Sequence, residues 1–165
     1  MGPAVQAQAE SDPGVLVYTG APFEIPLTII GPVRVRLWAV STARDTDFTA
    51  KLCLVQPDGT SVNLCGGIVR ARYRESLAVQ SLIEPGCAYL YRIDLGATAV
   101  TCHRGTRLRL QISSSDFPQW DRNLNTGGVF GAEGPGAAVI ATQIVLHERE
   151  YASSLEFLEA PADCR

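Results

Sequence analysis

The alternation of apolar and other residues over Val33–Val40 restricts the fold of this chain more than any other feature. Every odd-numbered position in this run is a small or branched apolar residue, whereas the even-numbered positions include Arg34, Arg36 and Trp38. Successive side chains of a β-strand point to opposite faces. The run therefore predicts a strand with one face in a hydrophobic core.

Similar runs recur along the chain and are separated by turn residues. Pro57-Asp58-Gly59-Thr60 predicts the turn of a hairpin whose return strand starts near Ser61, because proline presets φ and glycine accepts a positive φ. Cys65-Gly66-Gly67 interrupts that return strand, which predicts a bulge or the close approach of another backbone. The remaining predicted strands are Gly14–Tyr18, Leu27–Ile30, Phe48–Gln56, Tyr89–Leu95, Arg107–Ser113, Ala137–His147 and Ser154–Leu158.

The predicted fold class is all-β, an antiparallel β-sandwich or jelly roll, because many short strands alternate with turn signals and no amphipathic helix is evident. The longest predicted strand, Ala137–His147, is apolar on both faces and is expected to be central in a sheet. A length of 165 residues fits one domain. We expect a flexible N-terminal tail over 1–13, a single domain over 14–160 and a C-terminal tail over 161–165.

Charge and cysteine usage exclude several classes of function. A net charge of −3 and a pI near 5.4 argue against a general nucleic-acid surface, which needs net positive charge. The five cysteines contain no CxxC pair, so zinc has little support, and no cofactor is predicted. Residues 1–14 lack the basic and apolar regions of a signal peptide, and no apolar run approaches the ~18 residues of a membrane span. These observations predict a cytoplasmic chain without a membrane partner.

The stretch Ser113–Gly128 is the densest in polar and aromatic groups and is the first candidate for chemistry. A hydrolase site needs a nucleophile, a base and an orienting acid. The chain has only His103 and His147, and it contains no Gly-x-Ser-x-Gly elbow. The residues alone therefore predict a binding or structural domain, and whether the chain is an enzyme stays open at this point.

Asp45 and Asp47 are the second candidate group. Carboxylates two residues apart can share a cation, but the further positions of a known calcium loop are missing. Arg70, Arg72 and Arg74 lie in alternate positions of a run that reads as extended chain. Because the chain is acidic overall, ion pairs between these arginines and the carboxylates are the favoured interpretation.

Several motifs follow one another along most of the chain: DTDFTAKL (Asp45–Leu52), PDG (Pro57–Gly59), NLCGGIVRARYRESL (Asn63–Leu77), EPG (Glu84–Gly86), YLYRIDL (Tyr89–Leu95), ISSSDFP (Ile112–Pro118) and DRNLNTGG (Asp121–Gly128). In this order they resemble the C-terminal domain of the X-Pro dipeptidyl-peptidase and cocaine-esterase-like (CocE/NonD) serine hydrolases, over roughly Gly14 to Leu158. Two positions depart from the family pattern, namely Gly66, where relatives often have Asp, and the order of the turn in HRGTRLRL.

The resemblance implies a jelly roll similar to galactose-binding modules, which packs on an α/β-hydrolase domain that carries the Ser-Asp-His triad, in cis or in trans. The triad of that family has no matching positions in this chain, so no catalytic residue is carried over. The alternatives are a free-standing carbohydrate- or ligand-binding module and a cation-stabilised fold, and a homo-oligomer is a further candidate.

With the resemblance, the Ser113–Gly128 loop is expected to be a scaffold for a neighbouring active site. The candidate interface aromatics are Trp38, Phe117 and Trp120. The residues expected to fasten the loop in a structural polar network are Asp45, Asp47, Arg70, Arg72, Arg74, Asp121, Arg122, Asn123 and Asn125.

Overall fold

The computed structural model describes residues 2–129 and 131–161 as two packed antiparallel sheets. One sheet has the strand order β1-β6-β3-β4; in the other, β5 pairs β2, and β2 also pairs β7 and β8. The predicted all-β sandwich is confirmed, whereas the finer jelly-roll assignment stays a prediction. The strands are β1 (Leu16–Thr19), β2 (Leu27–Ser41), β3 (Asp47–Val55), β4 (Ser61–Arg70), β5 (Ala88–Cys102), β6 (Arg107–Ser113), β7 (Gln143–Val145) and β8 (Ser154–Glu159). Three single turns of helix complete the described elements: Ala7–Glu10 (α-helical), Ala71–Tyr73 and Pro135–Ala137 (both 3₁₀).

The core lies between β2 and β3. The odd-numbered positions of Val33–Ala39 are buried and the even-numbered ones are half-buried or exposed, as the alternation predicts. Across the core, the rings of Phe48 and Tyr91 pack with their centroids 4.6 Å apart. Two strands were expected on either side of Gly31-Pro32, but β2 is continuous through them. A register shift between Pro32 and Arg34 absorbs the proline, which cannot donate a ladder hydrogen bond.

One side of the sandwich is closed by direct contact between β4 and β5. A Cβ built on Gly67 would lie 2.0 Å from the backbone oxygen of Asp94, so only glycine permits this approach. The pairing of β3 with β4 also shifts register between Leu52 and Cys53. The interruption at Cys65-Gly66-Gly67 therefore corresponds to both predicted causes, a bulge beside it and a close backbone approach at Gly67.

The other side is flanked by the short strands β1, β7 and β8. The prediction of a long central strand over Ala137–His147 is wrong, because only Gln143–Val145 pairs, with the end of β2. The first residue of that range ends a 3₁₀ turn, Val139 donates its N–H to the carbonyl of Leu124, and Ile140 is 98% exposed. The apolar residues of Ala137–His147 therefore belong to a loop and to a short strand at the edge of a sheet. In such positions the spacing of apolar residues does not identify a core strand.

The segment before β1, for which a flexible tail is the expectation, contacts the first sheet. Val5 forms a bridge with Val62, and Gln6 donates its N–H to Ser61 O at 2.9 Å. Glu10 accepts from Arg109 Nη1 at 2.6 Å. Burial alone would raise the pKa of Glu10, but hydrogen bonds from Ser61 and Gln111 and the charge of Arg109 lower it overall. Partners far along the chain hold this segment, so its own sequence did not reveal them.

Gly67→Ala is predicted to lower the free energy of unfolding by about 3 kcal/mol or more, because the new methyl group would force β4 away from β5. Urea unfolding followed by circular dichroism measures the loss. The control is Gly134→Ala, where a Cβ meets nothing within 4 Å, and its stability should stay within about 0.5 kcal/mol of the parent. Equal stabilities of the two variants would show that the β4–β5 approach is not tight.

Candidate functional site: a buried carboxylate–guanidinium network

Two buried carboxylates stand side by side where the chain enters β3. Asp45 is 0% exposed and Asp47 is 2% exposed. Asp47 is paired in register with Arg70, the last residue of β4, so the sheet itself brings one cation to one anion. Buried charges are tolerated only where partners and hydrogen bonds replace their water.

The pair of Asp47 and Arg70 is bidentate. Arg70 Nε lies 2.8 Å from Asp47 Oδ1, and Arg70 Nη2 lies 2.9 Å from Oδ2. The planar fork of a guanidinium matches the two oxygens of a carboxylate in this way. The hydrogen bond to Asp47 raises the pKa of Arg70 above its ordinary value, so the guanidinium holds its proton more tightly.

Asp45 binds Arg72 through both the backbone and the side chain. Arg72 donates its N–H to Asp45 Oδ1 at 2.9 Å and its Nε–H to Oδ2 at 2.7 Å. The expected extended row of three arginines is not formed, because β4 ends at Arg70 and Ala71–Tyr73 is a 3₁₀ turn. Arg74 points elsewhere, where its guanidinium donates to Ser81 and lies 4.4 Å from the ring centroid of Tyr89.

Asn123 joins the two carboxylates to the long loop. Its Nδ2 lies 3.0 Å from Asp45 Oδ2 and 2.8 Å from Asp47 Oδ1, and its Oδ1 accepts from the N–H of Asn125. Asn125 has φ +63° and donates its side-chain amide to Val139 O at 2.8 Å. Arg72, the partner of Asp45, also donates from Nη1 to the carbonyl of Gly128 at 2.8 Å. The network thus contacts the loop near its middle and at its end.

The other predicted residues lie outside this centre. Asp121 is exposed and contributes its backbone carbonyl to Arg70 at 3.5 Å. Arg122 is exposed and stacks over Phe117, with its Cζ 4.6 Å from the ring centroid. Of the candidate interface aromatics, Phe117 is 55% exposed and Trp120 is half-buried. Trp38 is also half-buried and packs edge-on against Tyr151 at 5.1 Å.

A second polar group was missed at the sequence level. Lys51 Nζ lies 3.2 Å from Asp116 Oδ1, beside a cavity of about 670 Å³ that Gln143 also lines. Asp116 Oδ2 and Gln143 Oε1 are buried and have no hydrogen-bond partner. Lys51 is the sole lysine of the chain and stands between the apolar residues Ala50 and Leu52, which was the available signal.

The described part of the chain shows no catalytic or metal constellation. His147 Nε2 lies 3.1 Å from the hydroxyl of Tyr18, and His103 is exposed at a turn. Among the described residues no group of three His, Cys, Asp or Glu side chains could hold a metal ion. Burial raises the pKa of Cys53 to about 12 and of Cys65 to about 11, so these thiols stay protonated at neutral pH. Within residues 2–129 and 131–161, no helix is long and apolar enough to cross a membrane.

Fold and network define an all-β domain whose central buried charges bind one another and its own long loop. The chain belongs to the family of X-Pro dipeptidyl-peptidase C-terminal non-catalytic domains, whose sequence pattern matches residues 3–156. It is 48% identical over 132 residues to the cocaine esterase of Rhodococcus sp. (strain MB1 Bresler), which covers 80% of this chain and 23% of that protein. The resemblance predicted from the motifs is confirmed.

Solved structures agree with this assignment. An aminopeptidase from the marine sediment archaeon Thaumarchaeota archaeon superposes with a TM-score of 0.91 at 32% identity, over 95% of this chain and 27% of that one. An α-amino acid ester hydrolase superposes with a TM-score of 0.89 at 29% identity, over 94% and 27%. The chain thus spans about a quarter of the length of these relatives.

Asp45→Ala is predicted to lower the free energy of unfolding by about 3–5 kcal/mol, because it leaves the buried Arg72 guanidinium without its carboxylate. Denaturant unfolding measures the change. The matched control is Asp121→Ala in the same region, which alters an exposed side chain and should change stability by no more than about 0.5 kcal/mol. A small loss for Asp45→Ala would mean that the network does not stabilise the fold.

Proposed function

We propose that this chain serves as the accessory domain of a serine hydrolase of the X-Pro dipeptidyl-peptidase and CocE-like group. It packs in cis on the α/β-hydrolase domain that carries the triad, and it supports the wall of the active site. The observation that carries the proposal is the unequal coverage: relatives match 80–95% of this chain but only 23–27% of their own length. The chemistry then belongs to the remainder of such a protein.

The charge network suits a supporting role. The carboxylates Asp45 and Asp47 bind residues of β4, the turn after it and the long loop, so one buried cluster orients three segments. A rigid scaffold is what a neighbouring active site needs from an accessory domain. The loop presents Phe117 and Arg122 as a stacked, exposed pair, which supports its use as a contact with the hydrolase domain.

Finer points of the sequence interpretation belong to the same proposal. They are a jelly-roll arrangement similar to galactose-binding modules, a cytoplasmic location, and a surface that serves neither nucleic acid nor membrane. The net charge of −3 supports the statement about nucleic acid. A free-standing carbohydrate-binding module has no comparable support, since the matches extend over nearly the whole chain and come from hydrolases.

The proposal predicts that this chain can replace its counterpart in a relative. In the experiment, the segment of the Rhodococcus cocaine esterase that matches the chain is exchanged for the chain, and ester hydrolysis and thermal inactivation are measured. The chimera should hydrolyse esters, whereas the same esterase without the segment should lose activity or inactivate at a lower temperature. Phe117→Ala in the chimera should lower the inactivation temperature, because it removes exposed aromatic contact area at the interface.

The isolated chain supplies the second arm of this test. Pure protein is assayed with Gly-Pro-anilide and short esters, and no turnover above buffer is expected. Turnover that a serine-directed inhibitor abolishes would contradict the non-catalytic role. A chimera in which the catalytic part and this domain unfold independently would contradict packing between them.

A further inference from the structure

The two sides of the sandwich are sealed to very different degrees. On the β4–β5 side the backbones touch at Gly67 and Asp94. On the opposite side β1, β7 and β8 have four, three and six residues, whereas β2 has fifteen. Short edge strands leave the inner faces of two sheets incompletely covered along that side.

A groove runs along this open side. The cavity of about 670 Å³ and a neighbouring one of about 380 Å³ share Ile112 and Val145 in their walls, so the two lie next to each other and together form this groove. The walls of the smaller one include core residues of β2, namely Val35 and Leu37, opposite Leu110 of β6. Interior faces of a sandwich normally pack to high density, so two adjoining spaces of this size leave room for an occupant.

The larger end of the groove contains polar groups among its apolar walls. Asp116 Oδ2 and Gln143 Oε1 are buried there without a hydrogen-bond partner. Both atoms are oxygens that accept hydrogen bonds. The Gln143 amide is oriented by the hydrogen bond that its Nε2 donates to Thr46 Oγ1 at 2.8 Å. A buried acceptor without a donor is destabilising, because it has lost its hydrogen bonds to water. An occupant that donates N–H groups at this end would remove that destabilisation.

We propose that an extended, mainly apolar segment of the polypeptide that carries the hydrolase domain lies in this groove, and donates hydrogen bonds to Asp116 and Gln143. This inference rests on the proposed function. The match of the chain to only 23–27% of its relatives means that such proteins have the length to supply the segment.

An extended segment suits the groove better than a compact ligand does. Along the described residues β1 pairs with β6 and β7 pairs with β2, so the outer edge of each strand offers backbone groups to a further strand. Addition of a strand to such an edge is a common way to bind extended chain, with affinity from backbone hydrogen bonds and specificity from alternate side chains. The apolar middle of the groove then selects apolar side chains in the segment, and the end with the unpaired acceptors selects hydrogen-bond donors.

Strand β1 provides a matched pair of substitutions. Leu16 lines the larger cavity and is 43% exposed, whereas its neighbour Val17 is 37% exposed and lines neither cavity. Adjacent residues of a strand face opposite ways, so Leu16→Asp puts a carboxylate into the groove and Val17→Asp puts one on the outer face. Both positions are exposed enough for the domain to fold with either change.

The experiment uses the full chain and overlapping synthetic peptides that tile the part of the Rhodococcus cocaine esterase outside the match. Binding is measured by fluorescence anisotropy. One or a few mainly apolar peptides should bind the parent chain and the Val17→Asp variant equally, while Leu16→Asp should weaken binding by about tenfold or more, because a carboxylate would be buried without a partner. Asp116→Asn should also weaken binding, since it replaces an acceptor oxygen with a donor.

The esterase chimera provides a second readout that does not depend on the isolated chain. There, Leu16→Asp should lower the inactivation temperature and Val17→Asp should not. Equal effects of the two variants in both assays would overturn the inference, as would a groove that binds no peptide. If the chimera were active and stable despite those outcomes, the groove inference would be wrong and the proposed function would still hold. Dimerisation of the isolated chain that Leu16→Asp abolishes would place a second copy in the groove and would also overturn it.

Discussion

The ion pairs of Asp47 with Arg70 and of Asp45 with Arg72 are the contacts on which the middle of this domain depends. Two anions that are almost fully buried need two cations and several donors, so the carboxylates dictate where β4 ends and how the 3₁₀ turn leaves it. Asn123 bonds to both carboxylates and thereby holds the long loop against the same centre. Removing either partner leaves a buried charge, which costs far more than the intact pair contributes. The arrangement therefore favours one geometry for three segments at once.

The sandwich built around this centre is asymmetric, because one of its sides is closed and the opposite side contains a groove. The β4–β5 side is closed by a backbone contact that only glycine allows at position 67. The β1–β7 side keeps a groove with core residues and two unpaired acceptors in its walls. A domain that folds and acts by itself gains from covering such a surface with its own chain. Under the function proposed above, the hydrolase domain would supply that cover.

Particular elements show how far sequence reasoning reached. The alternation in Val33–Val40 correctly predicted a strand, and the turn at Pro57–Thr60 correctly predicted a hairpin. The glycines after Cys65 correctly predicted a close backbone approach. Each of these features depends on local geometry. The apolar run Ala137–His147 led to a wrong strand, since exposed loop residues near a sheet edge can be as apolar as a core strand. Residue types suggested pairing of the arginines with Asp45 and Asp47, but not which arginine meets which carboxylate, nor that Arg74 turns towards Tyr89.

By itself the sequence determined the all-β class, most of the inner strands and the family, because strand periodicity and collinear motifs are properties of neighbouring residues. Only the tertiary structure decided the partners of Asp45 and Asp47, the contacts of residues 4–10 with β4 and β6, and the groove between the sheets. Each of these joins residues that are distant along the chain, and the register of the sheets sets which of them meet. The groove in particular is a space between strands, so no single stretch of sequence encodes it.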